Sequence, residues 1–183
     1  MTAPSPLSGK TIALVGLMGV GKSSIGRRLA AALGLPFRDA DQVIEEAAGC
    51  TVAEIFEKYG EPGFRDGERR VISRLLEDPP HVLATGGGAF VNDETRKLIK
   101  QRALSIWLKA DLPVLAKRLA RKDNRPLLIG RDPMIVLQEQ AAARYGAYGE
   151  ADIVIETGDS PHAQAVEAIL TTLRARAAAE RAT

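Results

Sequence analysis

Gly16-Leu17-Met18-Gly19-Val20-Gly21-Lys22-Ser23 spells G-x-x-x-x-G-K-S directly after the apolar run Thr11-Ile12-Ala13-Leu14-Val15. The run reads as a buried strand, and the alanine- and leucine-rich stretch 24–33 has helical spacing, so the motif falls at a strand-to-helix turn. That is the context a phosphate-binding loop requires. Glycines at 16, 19 and 21 let the backbone wrap phosphate oxygens, while successive N–H groups and a helix N-terminus point at the negative charge. Lys22 then bridges the β- and γ-phosphates of a nucleoside triphosphate, Ser23 offers a hydroxyl to Mg²⁺, and Ser24 opens the helix. A glycine-rich turn that binds nothing accounts for the glycines, but not for lysine followed by a hydroxyl residue at this fixed offset.

Outward from the motif, apolar runs recur at 36–39, 82–85, 104–108 and 153–155, with helical stretches between them. Such alternation predicts a parallel sheet of five strands covered on both faces, the α/β class. Thr51 and Glu54 form a capping-box pattern ahead of Ile55 and Phe56, Gly60 closes that helix, and Asn92 or Asp93 starts another over 94–100. Ser160-Pro161 opens a last helix in which Val166, Ile169, Leu170 and Leu173 share a face; residues 174–183 lose that stripe and are expected to fray. The stretch 121–133 is polar, basic and broken by proline and glycine between two helices, and reads as a mobile loop.

With 183 residues the chain is expected to be one domain with a substantial core. Residues 1–10 hold prolines and serines without the apolar centre of a signal peptide, and read as a short flexible lead-in. Hydrophobic residues make up 45% and charged residues 26%, and no apolar run nears the ~20 residues a membrane span needs. A cytoplasmic protein with no membrane partner is predicted. Twenty-five basic against twenty-three acidic side chains give a net charge of +2, too near balance to argue for nucleic acid. Cys50 is the only cysteine, so no disulfide framework is available. The two histidines, His81 and His162, lie far apart and read as surface or loop residues, not as a zinc site.

Asp39 and Asp41 follow the second strand, at the carboxyl end where open α/β sheets bind ligands. Carboxylates at i and i+2 beside a phosphate loop suit one metal role and one substrate role; alternatively Asp41 only caps the next helix. Gly86-Gly87-Gly88 follows Thr85 at another strand's carboxyl end, either a tight turn or a set of N–H donors for a ligand. Arg65 and Glu68 stand three apart on a helical segment, hence on one face, which by itself reads as a surface ion pair.

Together, Gly16 to Ser23, Asp39-Ala40-Asp41, Phe64-Arg65 with Glu68, Thr85-Gly86-Gly87-Gly88, Arg125-Pro126-Leu127-Leu128, and Arg144 followed by Tyr148 and Ala151-Asp152 resemble the shikimate kinase family. The resemblance covers residues 10 to about 173 and implies a P-loop NTPase three-layer sandwich of the nucleoside monophosphate kinase-like type. Its five-stranded parallel sheet has the order 2-3-1-4-5, and residues 121–133 form a lid loop. It implies transfer of the γ-phosphoryl group of ATP to the 3-hydroxyl of shikimate, in the pathway to chorismate and aromatic amino acids. It further implies one Mg²⁺ ion per subunit and a monomeric enzyme.

Carried over by position, Gly19, Val20, Gly21, Lys22, Ser23 and Ser24 hold the nucleotide. Asp41, Arg65, Gly86, Gly87, Gly88 and Arg144 hold shikimate, the two arginines on its carboxylate and Asp41 on its hydroxyls. Ser23 ligates Mg²⁺ directly and Asp39 through water, while Lys22 and Arg125 stabilise charge on the transferring group and Asp41 assists deprotonation. Arg118 lies either against the adenine or free on a helix surface. The loop 157–161 lacks the basic residue that the family places near the adenine. Tyr145 and Tyr148 either face the site or pack the helix, with packing favoured, and Trp107 and Cys50 read as core or its edge without chemistry.

The chemistry of the residues agrees with this assignment. A small anionic polyol needs a cationic fork for its carboxylate and acceptors for its hydroxyls, which Arg65, Arg144 and Asp41 supply. A gluconate kinase shares the phosphate loop but lacks use for the Arg65, Gly86 to Gly88 and Arg144 set. A GTP-dependent switch would carry N/T-K-x-D after a later strand, and the chain has none.

Overall fold

Strand β1 (Thr11–Val15) is buried along its whole length because it lies in the middle of the sheet, paired in parallel with β3 (Val82–Ala84) on one side and β4 (Ala103–Lys109) on the other. The computed structural model describes residues 9–121, 128 and 130–183. Strand β2 (Phe37–Asp39) pairs with β3 and β5 (Ile153–Glu156) with β4, so all five strands are parallel in the order β2-β3-β1-β4-β5. This is the order and class expected from the sequence. The two outer strands are only partly covered: β2 is half-buried, and β5 alternates buried and exposed residues. The central strands therefore read as continuous apolar runs and the edges do not.

Right-handed crossovers set the layers. Helix α1 (Lys22–Leu33) leads from β1 leftward to β2, whereas α4 (Asp93–Arg102) leads from β3 rightward to β4, so the two lie on opposite faces. Helix α7 (His162–Arg181) returns to pack on α1, while α2 (Ala40–Ala48), α3 (Val52–Leu75), α5 (Leu112–Leu119) and α6 (Pro133–Tyr148) complete the other layer. Ile12, Leu14 and Ile106 are fully excluded from solvent between the layers, each burial stabilising by about 1.5–3 kcal/mol. Direction reverses at β1 and β3, and the crevice beyond their carboxyl ends receives the phosphate loop and the glycine turn.

Local signals explain most boundaries. Thr51 and Glu54 form a full capping box at the start of α3, and Asn92 accepts from the Thr95 N–H to cap α4. Gly60 does leave helical geometry, with φ 70° and ψ 178°, but the chain resumes its helix at once. Helix α3 is thus two helices joined at a kink, and its second half carries Arg65 and Glu68. Helix α1 begins at Lys22, two residues before the start expected at Ser24. At the other end of the chain, α7 runs on to Arg181 where fraying from 174 was expected: Ala177 is buried, and the alanines around it are strong helix formers. Asp152 accepts from the Ser105 N–H and hydroxyl at 2.9 and 3.0 Å, so the Ala151-Asp152 pair fixes the start of β5 against β4.

Candidate active site

The phosphate loop spans the gap from β1 to α1 with left-handed φ at Gly16, Gly19 and Gly21, a path closed to other residues. Lys22 Nζ donates to the loop's own carbonyls, Gly16 O at 2.5 Å and Leu17 O at 3.1 Å, which places the ammonium at the loop's centre. The Ser23 hydroxyl donates to Asp39 Oδ2 at 2.6 Å. The other oxygen of Asp39 accepts from the Asp41 and Gln42 N–H groups, so Asp39, not Asp41, caps α2. Asp41 is thereby left for another role. A cleft of about 480 Å³ opens over these groups, bounded by Lys22, Ser23, Ser24, Asp39, Asp41, Gly86, Gly87 and Arg118.

The acceptor side is assembled from α2, α3, α6 and the turn after β3. Thr85 ties that turn to β1 by donating its N–H and hydroxyl to Leu14 O. Gly86 to Gly88 then pass so close to charged side chains that a Cβ does not fit: at Gly86 it would stand 2.7 Å from Glu68 Oε2 and 3.0 Å from Asp41 Oδ1, and at Gly87 2.8 Å from Arg144 Nη1. At Gly88 it would enter the Arg65 guanidinium. Two carboxylates and two arginines therefore converge on three glycines. Asp41 Oδ1 and Glu68 Oε2 are sealed from solvent and have no hydrogen-bond partner among the described residues. Burial is the main cause that pushes the Asp41 carboxyl above the ordinary range, with Asp39 adding to it and Lys22 and Arg65 opposing. Burial likewise raises Glu68, against the pull of Arg65.

The structure thus brings together Lys22, Ser23, Asp39, Asp41, Arg65, Gly86 to Gly88 and Arg144. Arg125 lies outside the described residues, as does most of the 121–133 stretch; Pro133 at its end is the first residue of α6. Arg118 is neither free nor simply facing the cleft: it donates to Gly19 O at 3.2 Å and to Gly158 O at 2.9 Å, joining the phosphate loop to the loop after β5. Glu68 is 2% exposed and bonded to Arg65 Nη1 at 2.9 Å, a buried partner where a surface ion pair was expected. His81 is buried beside Thr11, and His162 lines the cleft against Gly21, so neither is an ordinary surface histidine. His162 is the first residue of α7, one position beyond the 157–161 loop. Trp107 packs against Tyr145 and Tyr148, as expected, and Cys50 lies half-buried at the edge of the core.

A family model described as shikimate kinase matches residues 18–174. A shikimate kinase of Caulobacter vibrioides is 69% identical over 170 residues, covering 93% of this chain and 85% of that relative. One from Zymomonas mobilis is 53% identical, covering 94% and 98%. Among solved structures, shikimate kinase from Acinetobacter baumannii in complex with shikimate superposes with a TM-score of 0.89 at 37% identity, covering 93% of this chain and 96% of the other.

Proposed function

This chain belongs to the shikimate kinase family, and from that premise we propose how its residues carry the γ-phosphoryl group of ATP to the 3-hydroxyl of shikimate, giving shikimate 3-phosphate and ADP. The observation that carries the reading is the convergence of Asp41, Glu68, Arg65 and Arg144 on Gly86 to Gly88, beside a complete phosphate loop. Arg65 and Arg144 clamp the carboxylate, and Asp41 accepts from the ring hydroxyls and orients the attacking oxygen. Glu68 holds Arg65 in place. Lys22 sets its charge against the β- and γ-phosphates, the helix N-terminus of α1 adds its dipole, and Arg125, outside the described residues, is read as a second cation for the transferring group.

Mg²⁺ fits the Ser23–Asp39 pair, a hydroxyl and a carboxylate already brought within 2.6 Å of each other beside the phosphate loop, both hard oxygen donors of the kind this ion takes. When bound, it supplies charge neutralisation on the nucleotide phosphates. Asp39 is oriented for this by the two backbone N–H groups it caps. We read the chain as a monomer that acts in the cytoplasm, where ATP is available.

The test is ADP release by the purified chain with ATP and Mg²⁺, offered shikimate or gluconate. Turnover with shikimate alone is expected, with phosphorus NMR showing a new phosphate monoester. Folded protein that releases ADP only with gluconate, or with neither, overturns the reading.

A further inference from the structure

Tyr148 ends α6 one helical turn beyond Arg144, so both side chains project from the same face. Its ring is fully buried, tilted against Trp107 with centroids 5.6 Å apart. From that cluster the hydroxyl donates to the carbonyl of Gly87, in the middle of the glycine turn. The neighbouring carbonyls are held by the turn itself, Gly86 O by the Ala89 N–H and Gly88 O by the Val91 N–H, both at 3.2 Å. Among the described residues, Tyr148 is the group that holds the Gly87 oxygen.

Three consecutive glycines put almost no steric limit on how their peptides face, so such a turn needs an outside anchor to keep one orientation. A trans peptide is planar, with its C=O and the next N–H pointing opposite ways. Fixing the Gly87 carbonyl on the tyrosine side therefore turns the Gly88 N–H away from it. The Arg144 guanidinium, which packs on Gly87, also acts on the tyrosine hydroxyl, so Tyr148 ties the turn to the arginine beside it.

We propose that Tyr148 is a positioning residue of the acceptor site, whose hydroxyl locks the Gly87–Gly88 peptide and so holds the glycine turn in register with Arg65 and Arg144, which bind the carboxylate of the substrate. Burial pushes the phenol up to about 12, against the pull of Arg144, so it stays a proton donor throughout the neutral range. The inference rests on the reading that the two arginines bind that carboxylate.

Tyr148→Phe removes one oxygen and keeps the ring, so the fold survives. We expect the KM for shikimate to rise about 3- to 10-fold, the effect of one buried hydrogen bond, while the KM for ATP stays within about twofold. Tyr145→Phe is the control and leaves both unchanged. A native shikimate KM in Tyr148→Phe, or an equal rise for both substrates, overturns the positioning role. Arg144→Lys, measured alongside by calorimetry, separates the two readings. Loss of shikimate affinity there with a native Tyr148→Phe overturns the positioning role alone, whereas native affinity in both variants overturns the carboxylate clamp and the positioning role with it.

Discussion

The nucleotide half of the cleft is built from eight consecutive residues and one carboxylate, whereas the acceptor half draws Asp41, Arg65, Glu68, Gly86 to Gly88 and Arg144 from four separate elements. The first is shaped by its own backbone: left-handed glycines and a helix N-terminus make a phosphate cradle wherever a strand runs into a helix. The second exists only because β3 lies beside β1, which brings the glycine turn against α2, α3 and α6. A motif that carries its own geometry resists change elsewhere in the fold. A site assembled across the fold depends on each contact that holds it, and changes within it show as loss of one substrate only.

Lys22→Met gives the largest effect and tests the local half. It removes the cation that offsets charge on the transferring group, so kcat should fall by about 10²–10³-fold or more while the melting temperature is held. Near-native turnover in a steady-state assay would assign Lys22 the wrong role. On the assembled half, Arg65→Lys and Arg144→Lys keep the charge but lose the planar fork. Each should weaken shikimate binding by about 1–3 kcal/mol and leave ATP affinity unchanged, which calorimetry with each ligand reads directly. Equal losses for both ligands would erase the contrast between the halves.

Glu68→Gln sharpens the comparison through pH. Because burial holds the Glu68 carboxyl above its ordinary range, the folded chain binds that proton more readily than the unfolded chain. Its contribution to stability is therefore fully present below the ordinary carboxyl value and is lost as pH rises through the raised one. Glutamine does not titrate. The melting temperature of the native protein minus that of Glu68→Gln should thus become more positive from pH 8 down to pH 5, and a difference that is flat or of opposite slope would contradict a buried, raised carboxyl. The smallest effect is expected far from the cleft: Thr51→Ala breaks the capping box of α3 and should cost about 1 kcal/mol in denaturant unfolding, with both KM values unchanged. A shikimate KM that rises in this variant would show that the first half of α3 steers Arg65 across the Gly60 kink.

What was legible in the sequence was whatever short-range physics controls. The apolar runs marked the strands, and Thr51 with Glu54, Asn92, Gly60 and the phosphate loop each declared a local geometry that the fold keeps. The family resemblance added the strand order and the acceptor residues. Four features were decided by tertiary structure alone: the burial of Glu68, the Arg118 bridge from Gly19 to Gly158, the placement of His162 over Gly21, and the Tyr148 bond to Gly87. In Arg118 and Tyr148 the partners lie 99 and 61 residues apart. No periodicity or cap encodes such a meeting, because it depends on which strands lie side by side and on where each side chain points once they do. A lone arginine, histidine or tyrosine on a helix looks the same in sequence whether it faces water or a backbone carbonyl, and only packing distinguishes the two.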